Sequence, residues 1–412
     1  MRILFCGYGG AHIRTQIPVI RKLKEETDLD IQVLALTTAS QVMKTEGIPY
    51  IGYRDLLPEL DANGTAAAHG LRLAADFPPN SIISPDETVA YLGLNYADLV
   101  GKWGMEEASR LYAVSGRSVF QPEDTMLRVL QERQIDMVIA SNAPRTERAL
   151  VLAAQRLGLP NLIVGDAFLV GEMDWLSDDG NVRNIAVFSE YVKRELVKHG
   201  RTASSIHVTG NPALDRLAAP ETRHLGSSLR DRLGWQNTKV LTWALPMVKP
   251  NDIRVSPVQE TLEILKQFAQ EDPLLRVLVR PHPNNGPMFG ALPVGFALHP
   301  NSAPVDEAIF CCDVLLTEFS MVGLEAAMAG KPVVTIASQA IVPYAELGVA
   351  EDVSSVAVLR DTLRLAFSGT IAPDLDRIGI PEVGSATQRV TDLILKILAT
   401  DSKRTTNETA VQ

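Results

Sequence analysis

The chain has 412 residues, 46% of them hydrophobic, and a formal net charge of −10 from 39 basic and 49 acidic residues. That length exceeds one ordinary core and fits two domains. The apolar content excludes a chain disordered throughout, and the acidic balance argues against a general nucleic-acid binder, which needs a basic surface.

The opening MRILFCGYGG reads as a first strand rather than a signal peptide. No stretch approaches the length of an uncharged membrane span. Ile3–Cys6 is that strand; Gly7, Gly9 and Gly10 follow, then His12 and a helix from Ile13 to Glu26 interrupted by Pro18. Strands are expected at Ile31–Leu36 and Ile48–Ile51 around a short helix at Gln41–Glu46. This βαβ opening favours a doubly wound sheet. The spacing G-Y-G-G-A-H is not G-x-G-x-x-G, so no dinucleotide site follows from it. From Arg54 to Arg117 helical windows alternate with Pro58, Gly64, Pro78, Pro79 and Pro85. Regular alternation then resumes: helix Thr125–Gln134, strand Met137–Ala140, helix Arg148–Leu157, strand Leu162–Val164, strand Ile185–Phe188, helix Glu190–Lys198 and strand Ile206–Thr209.

A charged, polar stretch marks a domain change within residues 206–235, which leaves 1–205 as one α/β domain and 236–398 as a second. The second contains strand Val240–Trp243, helix Ser256–Gln270, strand Arg276–Val279, a short strand Phe296–Leu298, strands Val314–Leu316 and Val333–Ile336, and helices Ser355–Phe367 and Thr387–Leu398. The polar end, 399–412, reads as a flexible tail. Three cysteines, with Cys311 and Cys312 adjacent, give no disulfide framework and no metal spacing; the pair reads as packing, and a reducing cytoplasm fits.

Four places carry candidate chemistry. His12, after the first glycine turn, faces the cleft expected of this architecture and suits a base near neutral pH. Asp86, Asp98 and Asp166 are all candidates to orient its ring. Arg280 and His282, held by Pro281 and Pro283 just past a strand, are suitable donors to phosphate oxygens; His282 is also a candidate base. Ser320 is an N-cap, and the free N–H groups of the helix it opens can hold a phosphate. Gly323 would let a ligand approach, and Glu325 could reach a hydroxyl beside that phosphate. Arg145, Arg148 and Arg156 form either a basic lane or a solvated face.

Several of these motifs resemble known families. GYGGAH, Gly7–His12, resembles the glycine loop and histidine of MurG-like and antibiotic glycosyltransferases. HVTGNPALD, His207–Asp215, resembles a segment of the UDP-N-acetylglucosamine 2-epimerases. VRPHPN, Val279–Asn284, resembles the strand-end HP motif of epimerases, glycerophosphotransferases and bacterial sialyl- or Kdo-transferases. TEFSMVGLEAAMAGKPVV, Thr317–Val334, resembles the donor-site helix of GT-B enzymes, although the 2-epimerases carry a DSGG-type turn where this chain has TEFS. The resemblance implies a GT-B architecture of two Rossmann-like α/β domains facing across a cleft. It assigns acceptors to 1–205 and a nucleotide-sugar donor to 236–398. His12 would be the catalytic base; His282 and Ser320 would meet phosphate, and Glu325 the ribose. The implied function is a metal-independent, inverting glycosyltransferase that needs no cofactor beyond a nucleotide-activated sugar. Its acceptor would be small or lipid-linked, and the protein cytoplasmic or peripheral at the inner membrane. The alternatives are a sugar-nucleotide epimerase or hydrolase, and a non-enzymatic binding protein on the same frame.

Overall fold

The computed structural model describes residues 1–77, 83–247, 258–283, 285, 290–318, 320–336 and 342–409, with side chains to Asp401 at the C-terminal end. Pro78, Pro79, Ser256, Asn284 and Phe319, which belong to the motifs and elements read above, lie outside the described residues, as do 410–412 of the tail. The chain divides into two compact units, 1–213 with 385–412, and 214–384.

The first unit begins with β1 (Arg2–Gly7), α1 (Gly10–Glu26), β2 (Asp30–Ala35) and α2 (Thr38–Thr45). Four helices follow: α3 (Tyr53–Leu60), α4 (Thr65–Ala74), α5 (Pro85–Trp103) and α6 (Met105–Ser115). Then come α7 (Glu123–Glu132), β3 (Met137–Ala140), α8 (Thr146–Arg156), β4 (Asn161–Val164), α9 (Met173–Leu176), β5 (Asn184–Val187), α10 (Glu190–Lys198) and β6 (Ile206–Val208). Among the described residues these strands make one six-stranded parallel sheet, ordered β2-β1-β3-β4-β5-β6. β3 and β4 are buried at every position, as parallel strands covered on both faces must be. Pro18 lies inside α1 without ending it.

The second unit contains α11 (Pro220–Leu233), β7 (Lys239–Ala244), α12 (Val258–Glu271), β8 (Leu275–Arg280), β9 (Phe296–Leu298), α13 (Val305–Cys311), β10 (Val314–Thr317), α14 (Met321–Met328), β11 (Val333–Ile336), β12 (Glu351–Val353) and α15 (Leu359–Phe367). Its sheet is again six-stranded and parallel among the described residues, in the order β12-β11-β10-β7-β8-β9. A final helix, α16 (Ala386–Thr409), returns to the first unit, where Val390, Leu393, Ile394 and Leu398 join the core formed by β1, α1 and β2. Among the described residues no helix is long and apolar enough to cross a membrane.

Four expectations differ from the fold. Ile48–Ile51 is not a strand; only Ile51 bridges to Leu34. Pro49 removes a ladder donor, and α3 starts too soon after it for a longer pairing. The stretch 206–235 is not a simple connection: β6 completes the first sheet, and most of the rest is α11. The helix expected to close the second domain packs in the first unit instead. The tail expected to be flexible is helical to Thr409, because no glycine or proline interrupts α16 after its apolar stripe ends.

Candidate functional site

In an open parallel sheet, ligands bind beyond the carboxyl ends of the strands where the strand order reverses. In the first unit that point lies between β1 and β3. His12 is there, in the first turn of α1, with Gly9 as N-cap. The Gly10 N–H donates to Thr38 Oγ1 at 2.9 Å, tying the turn to α2. The His12 imidazole lies between two carboxyl groups: Nδ1 is 3.7 Å from Glu147 Oε1, and Nε2 is 3.6 Å from Asp166 Oδ2. Both distances are ion-pair rather than hydrogen-bond range, and His12 Nδ1 is buried without a hydrogen-bond partner.

Glu147, in the first turn of α8, has a fully buried side chain. Its Oε1 accepts from the Tyr8 N–H at 2.8 Å and the Ser141 hydroxyl at 2.5 Å, so β1 and β3 are stitched together beneath the histidine. Asp166 follows β4; its N–H donates to Asn142 Oδ1 at 3.2 Å, and its carbonyl accepts from Asn211 Nδ2. The Gly210-Asn211-Pro212 turn thus braces the Asp166 loop. Asn142 also favours the ionised form of Glu172, further along that loop. Between them Leu169 has φ 55°, a left-handed conformation that a leucine holds only when its surroundings fix it.

Burial disfavours the His12 imidazolium, but Glu147, Asp166 and Glu172 outweigh it, so its pKa is raised from the ordinary value. Burial first, and Asp166 second, push the Glu172 carboxyl up towards its neutral form. The cluster therefore favours a protonated histidine beside a carboxyl that holds its proton more tightly than usual.

Of the three aspartates open as partners of His12, Asp166 is the one beside it. Asp98 caps α7 through the Thr125 N–H at 2.7 Å, and Asp86 lies in the first turn of α5. Glu147 and Glu172 escaped the sequence reading. The signal for Glu147 was an acidic residue in the first turn after a strand-end S-N-A-P, which reads equally as ordinary helix capping. The arginines do not make a lane: Arg145 stacks on Tyr8 at 4.7 Å, Arg148 on Trp175 at 5.7 Å, and Arg156 pairs with Glu123 and Asp124.

In the second unit the strand order reverses between β7 and β10. Ser320 caps α14 there, its Oγ accepting from the Val322 N–H at 3.3 Å. The Gly323 N–H turns back to the Ser320 carbonyl at 2.9 Å, and Tyr344 donates to the same carbonyl at 3.1 Å. Gly323 is not an opening for a ligand. It is buried, and a Cβ there would lie 3.2 Å from Thr317 Cγ2 and 3.4 Å from Tyr344 Cε2, so the missing side chain serves internal packing.

Glu325 is largely buried and pairs with Arg216, whose Nε also reaches Asp306 Oδ2 at 3.1 Å. Burial raises the Glu325 pKa against the pull of Arg216. Arg280 does not project from its strand end. It is 8% exposed, and its Nη1 contacts His299 Nδ1 at 2.7 Å, the Pro300 carbonyl at 2.6 Å and the Ala303 carbonyl at 3.0 Å. Through Nη1 it braces the 299–303 loop, a role that no sequence pattern reveals, since none records which carbonyls a fold brings near. His282 is half-buried, with its pKa lowered by burial, and its carbonyl accepts from Asn301 Nδ2 at 3.3 Å. Cys311 and Cys312 are fully buried; burial pushes their thiols up to about 12 and about 11, which fits packing. Among the described residues no group of three His, Cys, Asp or Glu side chains could hold a metal ion.

No protein-family model matches the chain, and no curated protein matches it by sequence. Solved structures do match. The UDP-GlcNAc 2-epimerase of Neisseria meningitidis, bound to UDP-GlcNAc, is 14% identical with a TM-score of 0.61, covering 96% of this chain and 100% of that one. The UDP-GlcNAc 2-epimerase of Methanocaldococcus jannaschii is 13% identical with a TM-score of 0.62, covering 96% and 100%. MurG of Acinetobacter baumannii is 15% identical with a TM-score of 0.54, covering 96% and 99%. With its two doubly wound parallel sheets and these likenesses over most of its length, the chain has a GT-B-type fold of two Rossmann-like units.

Proposed function

We propose that the protein acts on a nucleotide-activated sugar by acid–base chemistry of the epimerase or hydrolase type. The second unit would recognise the nucleotide, and the first would carry out the proton transfers. One observation carries the reading: His12 is flanked by Asp166 and Glu147, with Glu172 in the same cluster pushed towards its neutral form. A carboxyl group that holds its proton more tightly than usual can serve as the acid beside a separate base. In the reaction proposed, the Asp166 carboxylate takes the proton from sugar C2 as the C1–O bond breaks and the nucleoside diphosphate leaves as an anion. Imidazolium at His12 offsets negative charge, and Glu172 returns a proton to C2 as the C1–O bond reforms. Named activities of the similar structures support this reading, since several are UDP-GlcNAc 2-epimerases.

The nucleotide would rest its phosphates at the first turn of α14, beside Ser320 and the half-buried His282, and its ribose hydroxyls at Glu325. Arg280 is left out of this set because it is buried and its Nη1 is held by the 299–303 loop. Gly323 is left out because it is filled by its neighbours.

Glycosyl transfer is the second reading, and one feature favours it. Thr317 stands where the 2-epimerases carry the aspartate of their DSGG turn, and its hydroxyl is spent on the Ala244 carbonyl at 3.0 Å. In that reading His12, in its neutral form, takes a proton from a small or lipid-linked acceptor.

Incubation with UDP-, GDP-, dTDP- and CMP-sugars in deuterated water separates the two. Deuterium entering sugar C2 without an acceptor supports epimerisation. Transfer to an added acceptor with no exchange supports the second reading. Absence of binding by every nucleotide sugar overturns both.

A further inference from the structure

In the second unit one arginine meets two carboxyl groups. Arg216 lies on the helical turn Pro212–Ala218, where Leu214 and Leu217 are buried and Asp215 Oδ1 accepts from the Gly384 N–H at 3.0 Å. Its Nη2 donates to Glu325 Oε2 on α14, and its Nε donates to Asp306 Oδ2, in the first turn of α13, at 3.1 Å. The planar fork of a guanidinium holds two such acceptors in fixed directions, which a lysine ammonium does not.

Packing alone does not explain the second carboxyl group. One carboxylate balances one guanidinium; another in the same largely buried place adds like-charge repulsion and a further desolvation cost. Asp306 is 9% exposed, and its Oδ1 is buried with no hydrogen-bond partner, so that cost is only partly offset. Glu325, in contrast, keeps an acceptor to offer. Arg216 engages Oε2, while Oε1 has no hydrogen bond among the described residues, and 14% of the side chain is exposed. Burial pushes the Glu325 carboxyl towards its neutral form, Arg216 pulls it back and Asp306 pushes it again. Tyr344 is a further titratable neighbour, its pKa raised by burial first and Glu325 second.

We propose that Arg216 is a positioning residue for nucleotide recognition: it aims the Glu325 carboxylate so that Oε1 accepts from a ribose hydroxyl, with Asp306 holding the guanidinium in place. The positive charge also favours the ionised carboxyl group, which is the better acceptor. The inference rests on the placement of ribose hydroxyls at Glu325 proposed above, and its test separates the two.

The probes are UDP and GDP, each against its 2′,3′-dideoxy analogue, by titration calorimetry on the full chain. The unaltered chain is expected to bind the ribonucleotide about tenfold more tightly, as a hydrogen bond to a charged acceptor predicts. Arg216→Met should cut that preference to about twofold and leave the affinity of the dideoxy analogue nearly unchanged. It should also raise the pH below which the preference is lost, because no cation then opposes protonation of Glu325. Arg216→Lys, which keeps the charge without the fork, should return that pH towards the unaltered value with an intermediate preference. A purely structural arginine would instead weaken both members of each pair alike and leave the pH profile in place. An undiminished or stronger preference in Arg216→Met overturns the proposal. Where Arg216→Met does not fold, an undiminished preference in Arg216→Lys does so. A preference lost in Glu325→Gln but kept in Arg216→Met removes Arg216 and leaves Glu325 at the ribose. No preference on the unaltered chain, or no binding of either nucleotide, removes both residues from that role. A nucleotide sugar that reacts without any such preference leaves the proposed reaction standing and this inference overturned.

Discussion

At the scale of single residues, the first unit turns on one imidazole held by carboxyl groups. Replacing Glu147 by Gln removes the carboxyl group that favours the imidazolium most and should lower the His12 titration midpoint, read by NMR of the ring proton. It should also destabilise the fold by about 1–3 kcal/mol, since the Tyr8 and Ser141 donors lose a charged acceptor. An unmoved midpoint would show that Glu147 does not set the charge of His12. The folded pKa of His12 lies above its unfolded value, so its ion pairs stabilise the protein fully below the unfolded value. That contribution is lost as pH rises through the folded value. Melting curves of the unaltered chain and His12→Gln should therefore differ at mildly acidic pH and converge at alkaline pH. Turnover gives an independent reading. A role for the imidazolium predicts a rate that falls as pH rises through that same titration, whereas an acceptor base predicts a rate that rises.

Elements depend on where glycine lets backbones touch. In the helical insertion, a Cβ at Gly70 would lie 2.1 Å from the Val89 carbonyl oxygen, and one at Gly93 would lie 2.1 Å from the Ala66 carbonyl oxygen. α4 and α5 can pack this closely only because both positions lack a side chain. Gly93→Ala should cost about 1–3 kcal/mol by overpacking, measured by chemical denaturation. A stability equal to that of the unaltered chain would mean that the two helices do not meet this way. At α14, Ser320→Ala should cost about 1 kcal/mol through loss of the cap to Val322. Gly323→Leu should cost more, because Thr317 and Tyr344 already occupy the space. If Gly323 instead served ligand approach, Gly323→Leu would weaken nucleotide binding and leave the melting temperature alone.

For the molecule as a whole, the chain's return at Ser385 matters more than the boundary near Ala213. Arg389 Nε donates to the Thr209 carbonyl at 2.7 Å, and four buried apolar residues of α16 complete the first unit's core. Burial of each such side chain contributes roughly 1.5–3 kcal/mol. Removing 385–412 should therefore unfold the first unit, as seen by loss of its cooperative melting transition. Removing only 402–412 should leave that transition intact. A truncated 1–384 chain that melts normally would contradict the assignment of α16 to the first core.

The sequence by itself determined the local grammar. Apolar runs such as Met137–Ala140 and Val314–Leu316 can satisfy their backbone only in a covered sheet, and Ser320 is legible as a cap because its partner is two residues away. The alternation of these runs with helices fixed the parallel, doubly wound class, and the glycine turn and Ser320 pointed to the two carboxyl edges where strand order reverses. Tertiary structure decided everything that depends on residues far apart in the chain. Which of Asp86, Asp98 and Asp166 meets His12 follows from the β4 strand lying two places from β1. Whether Arg280 faces outward follows from His299 and the carbonyls of Pro300 and Ala303, about twenty residues later. The ownership of α16 follows from core volume left beside α1, which no local pattern records. Periodicity, caps and turns are short-range and survive in the sequence; contact, burial and the acidity they impose arise only when distant strands are laid side by side.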